Sequence, residues 1–330
     1  MPTVHETAYP RLKNSIGQRE LIDLYTPTEA ELELAVGAAK GEAAKLSFLV
    51  LLKTFQRLGY FVALEEVPRC IVEHIGHDRG MLIVPETMAE YDQSGTRRRH
   101  VALIRKYLRV RSFDETGHAV LSIAVRLAAE RMEDLADIIN VAIEELVRGS
   151  FELPGFSTLQ KEAKRGRTEI NRALYQRVRD AIGSEGEAAI DALLSDSSSP
   201  SRKTRWDLLK QDARSPTLTH LRNLLNRQQW LALERPVVAL NTLLPDVKLR
   251  QFALEAKSLD AGRMQEMAPA KRYTLAATLI ELQNARALDD LAEMFLKRLM
   301  RIHRHGREAL ALHPIAVQEH RLDRGKERRR

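Results

Sequence analysis

The sequence predicts an all-α protein, and three observations carry that prediction. Aromatic residues make up only 5% of the 330 residues, glycine and proline number just 16 and 12, and apolar residues recur at helical rather than alternating spacing. At 44% hydrophobic and 29% charged the composition is that of a folded globular protein, which excludes a chain disordered throughout. No run approaches the ~18 apolar residues of a spanning helix. The start, MPTVHETAYPRLKN, has no apolar stretch behind a basic one, so neither a membrane partner nor a signal peptide is expected. The lone Cys70 excludes an internal disulfide and a Cys-rich zinc module, and it fits a cytoplasmic address.

Taken in order, residues 1–42 read as a loose lead-in with one short helix near 29–40. Over 45–58, Leu46, Phe48, Leu49, Val50, Leu51, Leu52, Phe55 and Leu58 leave little polar face, so this helix is expected to be buried on most sides. Gly59 should stop it, and Pro68 suits the first turn of the next, which carries Cys70, Ile71, Val72 and Ile75. A broken stretch over 80–92 precedes a basic helix over 96–110. Leu135, Ile138, Ile139, Ala142, Ile143, Leu146 and Val147 keep one stripe on one helix face, and Gly149 with Pro154 ends it. Ser-rich 195–201 is the best linker by composition. Later helices are expected at 217–233, 247–259, 264–287 and 289–305.

The net charge of +7 is unevenly placed. Residues 97–111 hold seven basic residues and no acid, and 161–179 hold seven basic and two acidic ones. The final ten hold six basic and two acidic. Everything else is net acidic. Cations gathered in this way are the electrostatic footprint of a nucleic-acid partner. At ~100° per residue, Arg98, Arg105 and Arg109 fall on one line of the basic helix, flanked by Arg99 and Lys106, and Arg97 is a further candidate contact. This face is expected to meet DNA phosphates. The competing reading is a solvated face neutralised by acids from elsewhere in the fold.

Residues 157–183 carry helix-turn-helix punctuation. Ser157 and Gln160 form a capping-box pattern, Gly166 suits a left-handed stop, and Thr168 suits the cap of a second helix over 169–182. On that second helix Arg172, Tyr175, Gln176 and Arg179 would face outward, with Asn171 at the edge; these are groove-reading types. Lys161, Lys164, Arg165 and Arg167 would supply the basic approach.

Catalytic signatures are missing. No phosphate-binding Gly-Lys-Ser/Thr loop, dinucleotide fingerprint, nucleophile elbow or His-Glu-x-x-His pattern occurs. His303 and His305 lie among Arg301, Arg304 and Arg307, which repel a divalent cation. No cofactor, metal site or catalytic residue is expected.

Several ordered segments resemble a known family. KLSFLVLLKTFQRLGYFVALEEVP (45–68), TRRRHVALIRKYL (96–108), LPGFSTLQKEA (153–163), TLTHLRNLLNRQQWL (217–231), APAKRYTLAATLI (268–280) and the continuation 286–310 resemble the N-terminal region of Tn-three-type, class II replicative transposases. That resemblance implies binding of terminal inverted repeats here. It also implies a later ribonuclease-H-like domain whose Asp, Asp, Glu triad holds metal and transfers strands, which this sequence does not reach. From about Ala311 the sequence departs from the family pattern. The expectation is therefore a non-catalytic, double-stranded-DNA-binding protein of several helical domains. It comprises an N-terminal DNA-binding domain (1–152), a helix-turn-helix-like segment (153–199), a helical bundle region (200–310) and a basic, disordered tail (311–330). A homodimer is a second expected partner, and a helical scaffold or dimerisation protein is the alternative reading.

Overall fold

The computed structural model describes residues 2–13, 15–77, 90–195, 204–211, 217–234 and 239–327. Among them every regular element is helical, as the composition predicts. The extended backbone contributes only an isolated parallel bridge between Arg111 and Phe151. The chain divides into two compact units, Met1–Asn171 and Arg172–Arg330.

The first unit contains a 3-10 turn at Val4–Glu6, α1 (Gln18–Tyr25), α2 (Glu29–Ala38), α3 (Glu42–Leu58), α4 (Arg69–His77), α5 (Gly95–Leu108), α6 (Glu115–Arg131), α7 (Leu135–Arg148) and the start of α8 (Phe156–Ser195). The helix α3 is the hub, in contact with α1, α2, α4 and α5. Its residues from Leu46 to Phe55 are buried without a break, which is why its sequence shows so little polar face. Gly59 ends it in the left-handed region at φ 75°, a conformation glycine adopts without strain. A polar pair accompanies the α2–α3 contact. Glu31 closes a capping box with Thr28 and accepts hydrogen bonds from Lys53 (3.3 Å) and Gln56 (2.7 Å).

The lead-in is not loose. Tyr9 is buried, stacks on Tyr60 with ring centroids 5.0 Å apart, and donates from its hydroxyl to the Pro154 carbonyl (3.0 Å). Ala8 N–H donates to Asn140 and the Gln160 amide to the Pro2 carbonyl. One aromatic ring and its backbone fasten a segment too poor in apolar residues to predict a fixed course. The stretch 78–89 lies outside the described residues.

Asp114 and Asp134 cap α6 and α7, which pack on each other. Ile138, Ile139, Ala142, Ile143 and Leu146 form the buried stripe of α7, while Val147 is exposed. The turns before α6 and after α7 are stitched together. Arg111 N–H donates to Ser150 (2.8 Å) and Glu152 N–H to Arg111 (2.9 Å), while Leu153 N–H reaches the Gly59 carbonyl (2.8 Å).

The helix-turn-helix expectation for 157–183 does not hold. The segment is one uninterrupted helix through Gly166, and the first non-helical backbone comes at Gly183 (φ 67°, ψ 179°). Gly166 is needed for space: a Cβ there would lie 2.4 Å from Val125 Cγ1 of α6. Thr168 caps nothing, and its hydroxyl bonds back to the Lys164 carbonyl one turn earlier (2.8 Å).

The second unit holds the rest of α8, α9 (Arg205–Leu209), α10 (Leu218–Glu234), α11 (Leu240–Leu243), α12 (Asp246–Ser258), α13 (Ala261–Gln265) and α14 (Pro269–Glu327). The helix α14 packs along α12 and α10. Buried alanines on both partners of the first contact, Ala253 and Ala256 on α12 and Ala276 and Ala277 on α14, suit a close approach. Trp206 is fully buried and its indole donates to the Leu259 carbonyl (3.0 Å). Met264 and Gln265 belong to α13, and from Pro269 onward the expected helices 264–287 and 289–305 are one element, with no glycine or proline between them to part them. The helix also continues through most of the basic segment beginning at 311. Most of the Ser-rich linker lies outside the described residues.

Candidate nucleic-acid interface

The basic helix α5 begins where the Ser94 hydroxyl accepts from Arg97 N–H (3.2 Å). Its inner face, His100, Val101 and Ile104, joins the core around α3. Burial holds the His100 imidazole below its ordinary range, and its Nδ1 lies 2.6 Å from the Tyr91 hydroxyl. An inner face so committed fixes which cations face outward.

Two of the cations belong to the fold. Arg97 donates to Asp92 (3.0 Å) and to the Val62 carbonyl (3.0 Å). Arg105 grips Glu152 with two parallel hydrogen bonds (3.0 and 2.8 Å) and lies 5.5 Å from the Phe61 ring centroid. Glu152 also accepts from Phe113 N–H (3.1 Å), so Arg105 ties the end of α5 to both connecting turns. The forked geometry is the strong form of this interaction.

Arg98, Arg99, Lys106 and Arg109 remain. All four are exposed, and among the described residues none makes an ion pair; Arg99 donates only to the Thr96 hydroxyl (3.1 Å). Arg98, Arg99 and Lys106 fall within an arc of ~100° of the helix surface. Arg109 sits just past α5 in the left-handed region at φ 56°, which costs a non-glycine residue about 1 kcal/mol. The turn is held by hydrogen bonds from Arg109 N–H to Lys106 and Val110 N–H to Arg105. Arg111, the next cation, lies over the Phe151 ring at 4.1 Å.

On the first unit's part of α8, Lys161 and Lys164 are exposed and make no ion pair among the described residues. Arg165 is spanned by Glu162 (2.7 Å) and Glu169 (3.8 Å). Arg167 donates to the Glu133 carbonyl (3.0 Å), and Asn171, buried, donates to the Glu133 carboxylate (3.2 Å). These last two anchor α8 to the α6–α7 turn, so the basic approach to a groove reduces to the two lysines.

In the second unit, Arg172 is exposed and unpaired among the described residues. Tyr175 is half-buried against Phe252, with rings 5.0 Å apart, and its carbonyl accepts from Thr274. Gln176 donates to Asp180 (2.7 Å), and Arg179 is held by Glu187 (2.7 Å). The outward row expected of a recognition helix is thus largely engaged by its own unit.

Among the described residues no group of three or more His, Cys, Asp or Glu is placed to hold a metal. The carboxyl of Asp114 is held below its usual range by hydrogen bonds from Thr116 and Gly117, which is its capping role. No described helix is long and apolar enough to cross a membrane.

Residues 2–165 match the model of the family described as Domain of unknown function (DUF4158). They form a DUF4158 domain. The match ends six residues before the first compact unit does, so the DUF4158 domain and that unit are nearly the same body. The free face of α5 and both free lysines of α8 therefore lie on the DUF4158 domain. A search of curated proteins finds no match.

Proposed function

We propose that this chain binds double-stranded DNA through its DUF4158 domain, as the part of a Tn-three-type transposase that recognises terminal inverted repeats, and that it does so without cutting DNA. The observation that carries the reading is the face of α5. With Arg97 and Arg105 committed to Asp92 and Glu152, Arg98, Arg99 and Lys106 still share one side of one helix and Arg109 follows at its end, all exposed and with no counter-ion among the described residues. Like charges so placed repel, and a polyanion relieves the repulsion while releasing its condensed counterions. Lys161 and Lys164 add a second phosphate-contacting pair on the same domain. The resemblance of the ordered segments supports the transposase assignment, and DUF4158 domains are commonly found in that family.

The deciding experiment is fluorescence anisotropy of the full chain with a transposon-end duplex and a scrambled duplex of equal length, repeated across salt concentrations. Binding whose logarithm falls linearly with log salt, tighter for the end duplex, supports the proposal. Absence of binding at low salt refutes it. Equal affinity for both duplexes removes the inverted-repeat assignment and leaves only phosphate contact.

A further inference from the structure

The second unit carries a cationic surface that lies outside the DUF4158 domain. Arg298, Arg301, Arg304 and Arg307 recur on α14 at strict intervals of three residues. Side chains three apart on a helix stand about 5–6 Å from one another, and each step of three shifts the row by about 60° round the axis. The four therefore form one continuous ridge that winds along about 14 Å of the helix. Past Met294, which is buried, no described side chain of α14 is buried; Arg301, Arg304 and Arg307 are exposed and Arg298 is half-buried. Lys297, His303 and His305 stand among them, and Glu308 is the one acid between Phe295 and Leu310.

Two internal explanations for the ridge fail. Cations favour the last turn of a helix, where the macrodipole is negative, but α14 runs on to Glu327, about five turns beyond Arg307. A solvated face carries both signs and pairs them along the helix. Here Glu293 takes Lys297, and Glu308 reaches Arg304 at 3.8 Å and His305 at 3.3 Å, while Arg298, Arg301 and Arg307 make no ion pair among the described residues. An exposed pair such as Arg304 with Glu308 contributes little, so Arg304 is free to exchange its partner. Like charges at equal intervals are matched by a polymer whose opposite charges also recur at equal intervals, and a nucleic-acid strand carries one phosphate per nucleotide. The guanidinium fork fits phosphate oxygens. Between Arg298 and Arg307 there is no Asn, Gln, Ser or Thr, which suits backbone positioning rather than base readout. We propose that this arginine ridge contacts successive phosphates of one strand of duplex DNA, a second and sequence-independent contact made by the second unit. It rests on the reading of the chain as a DNA binder, but not on α5.

The test is fluorescence anisotropy of the full chain on the transposon-end and scrambled duplexes across salt, with the variant Arg301→Ala/Arg304→Ala/Arg307→Ala beside the parent. All three residues are exposed and alanine favours a helix, so circular dichroism should show the helix content of the variant unchanged. Three lost phosphate contacts should flatten the log–log salt slope by about 2.7 on both duplexes, so that between about 50 and 200 mM salt the parent loses about 40-fold more affinity than the variant. The ratio of end to scrambled affinity should not move. The corresponding triple lysine variant keeps the charge and should keep the slope. An unchanged slope in the alanine variant overturns the ridge and leaves the DUF4158 reading standing, and a lysine variant as flat as the alanine one overturns the phosphate contact. A fall in the end-to-scrambled ratio overturns its sequence independence. A slope that falls with the ridge variant but not with Arg98→Ala/Lys106→Ala/Arg109→Ala supports the ridge and removes α5, whereas a parent chain that binds neither duplex refutes both. A parent that binds a poly-glutamate probe more tightly than either duplex, and loses it in the alanine variant, identifies an acidic polypeptide as the occupant and refutes DNA.

Discussion

Gly166 is the position where two readings of one residue separate most cleanly by experiment. A turn glycine and a close-packing glycine both resist substitution, for different reasons. In the structure Gly166 lies within α8, and a Cβ would stand 2.4 Å from Val125 Cγ1 but 3.7 Å from Val125 Cβ. The clash is therefore with one methyl group. Val125 is 1% exposed and β-branched, so in a helix it has essentially one rotamer and cannot swing aside. Gly166→Ala gains about 1 kcal/mol of helix propensity and loses about 1–3 kcal/mol to overpacking. With the methyl held fast the loss should lie near the upper end, for a net destabilisation of about 1–2 kcal/mol. Val125→Ala removes the obstructing methyl, and in that background Gly166→Ala should stabilise by up to ~1 kcal/mol. The coupling is then about 2–3 kcal/mol, well outside the error of a double-mutant cycle. Both tryptophans, Trp206 and Trp230, lie in the second unit, so their fluorescence would miss the effect. Far-UV circular dichroism in urea, with amide exchange over 115–171, reports on the right body. Equal destabilisation by Gly166→Ala in both backgrounds is the signature of a left-handed turn and would refute the continuous helix.

Four further outcomes are expected. Arg98→Ala, Lys106→Ala and Arg109→Ala should each flatten the salt dependence of DNA binding by about 0.9 in log–log slope without altering stability. Arg105→Ala should instead cost about 1–3 kcal/mol in urea unfolding through the orphaned Glu152; a normal melt for that variant would return Arg105 to the DNA-facing set. Burial alone would raise the Glu31 carboxyl, but hydrogen bonds from Thr28, Gln56 and Lys53 outweigh it and hold the group below its usual range. A lowered folded value contributes stability above the ordinary glutamate value of about 4.3 that is lost as pH falls through the folded one. Glu31→Gln should therefore cost about 2–4 kcal/mol at pH 7, with the gap to the parent chain closing toward pH 3; a gap constant with pH contradicts the assignment. Incubation with a supercoiled transposon-end plasmid and magnesium or manganese should give no nicks, and nicking abolished by a single carboxylate substitution would refute the non-catalytic reading.

Much of the fold was legible because local rules and tertiary burial agree where the core is densest. The uninterrupted burial of α3 is visible as a dense apolar run that only Ser47, Lys53 and Thr54 interrupt, and Gly59 stops it in the conformation that makes glycine useful there. The inward stripe of α7 reads directly from its spacing, except for its last residue, Val147. Gly166 was not legible, because glycine lowers helix propensity wherever it stands and nothing nearby says whether space or a turn requires it. The deciding atom is a methyl on another helix. The same holds for the lead-in, whose course depends on Tyr9 meeting Tyr60, Pro154 and Phe156.

The candidate interface divides by the same logic, and the division sharpens the functional reading. Segregated charge in a sequence counts cations but not the acids that other elements bring to them. Asp92, Glu152, Glu133 and Glu187 each reach a residue expected to meet DNA, namely Arg97, Arg105, Arg167 with Asn171, and Arg179. Had the basic segments been only solvated faces awaiting such partners, the acids would have reached the α5 stripe evenly. They stop instead at the two arginines that lie half-buried, Arg97 and Arg105. Arg98, Arg99, Lys106 and Arg109 stay together on the outer arc, where neutralisation from within the described fold does not reach. Carboxylates that fix the helix and leave one coherent stripe uncompensated among the described residues supply the electrostatics that the proposed anion-binding role calls for.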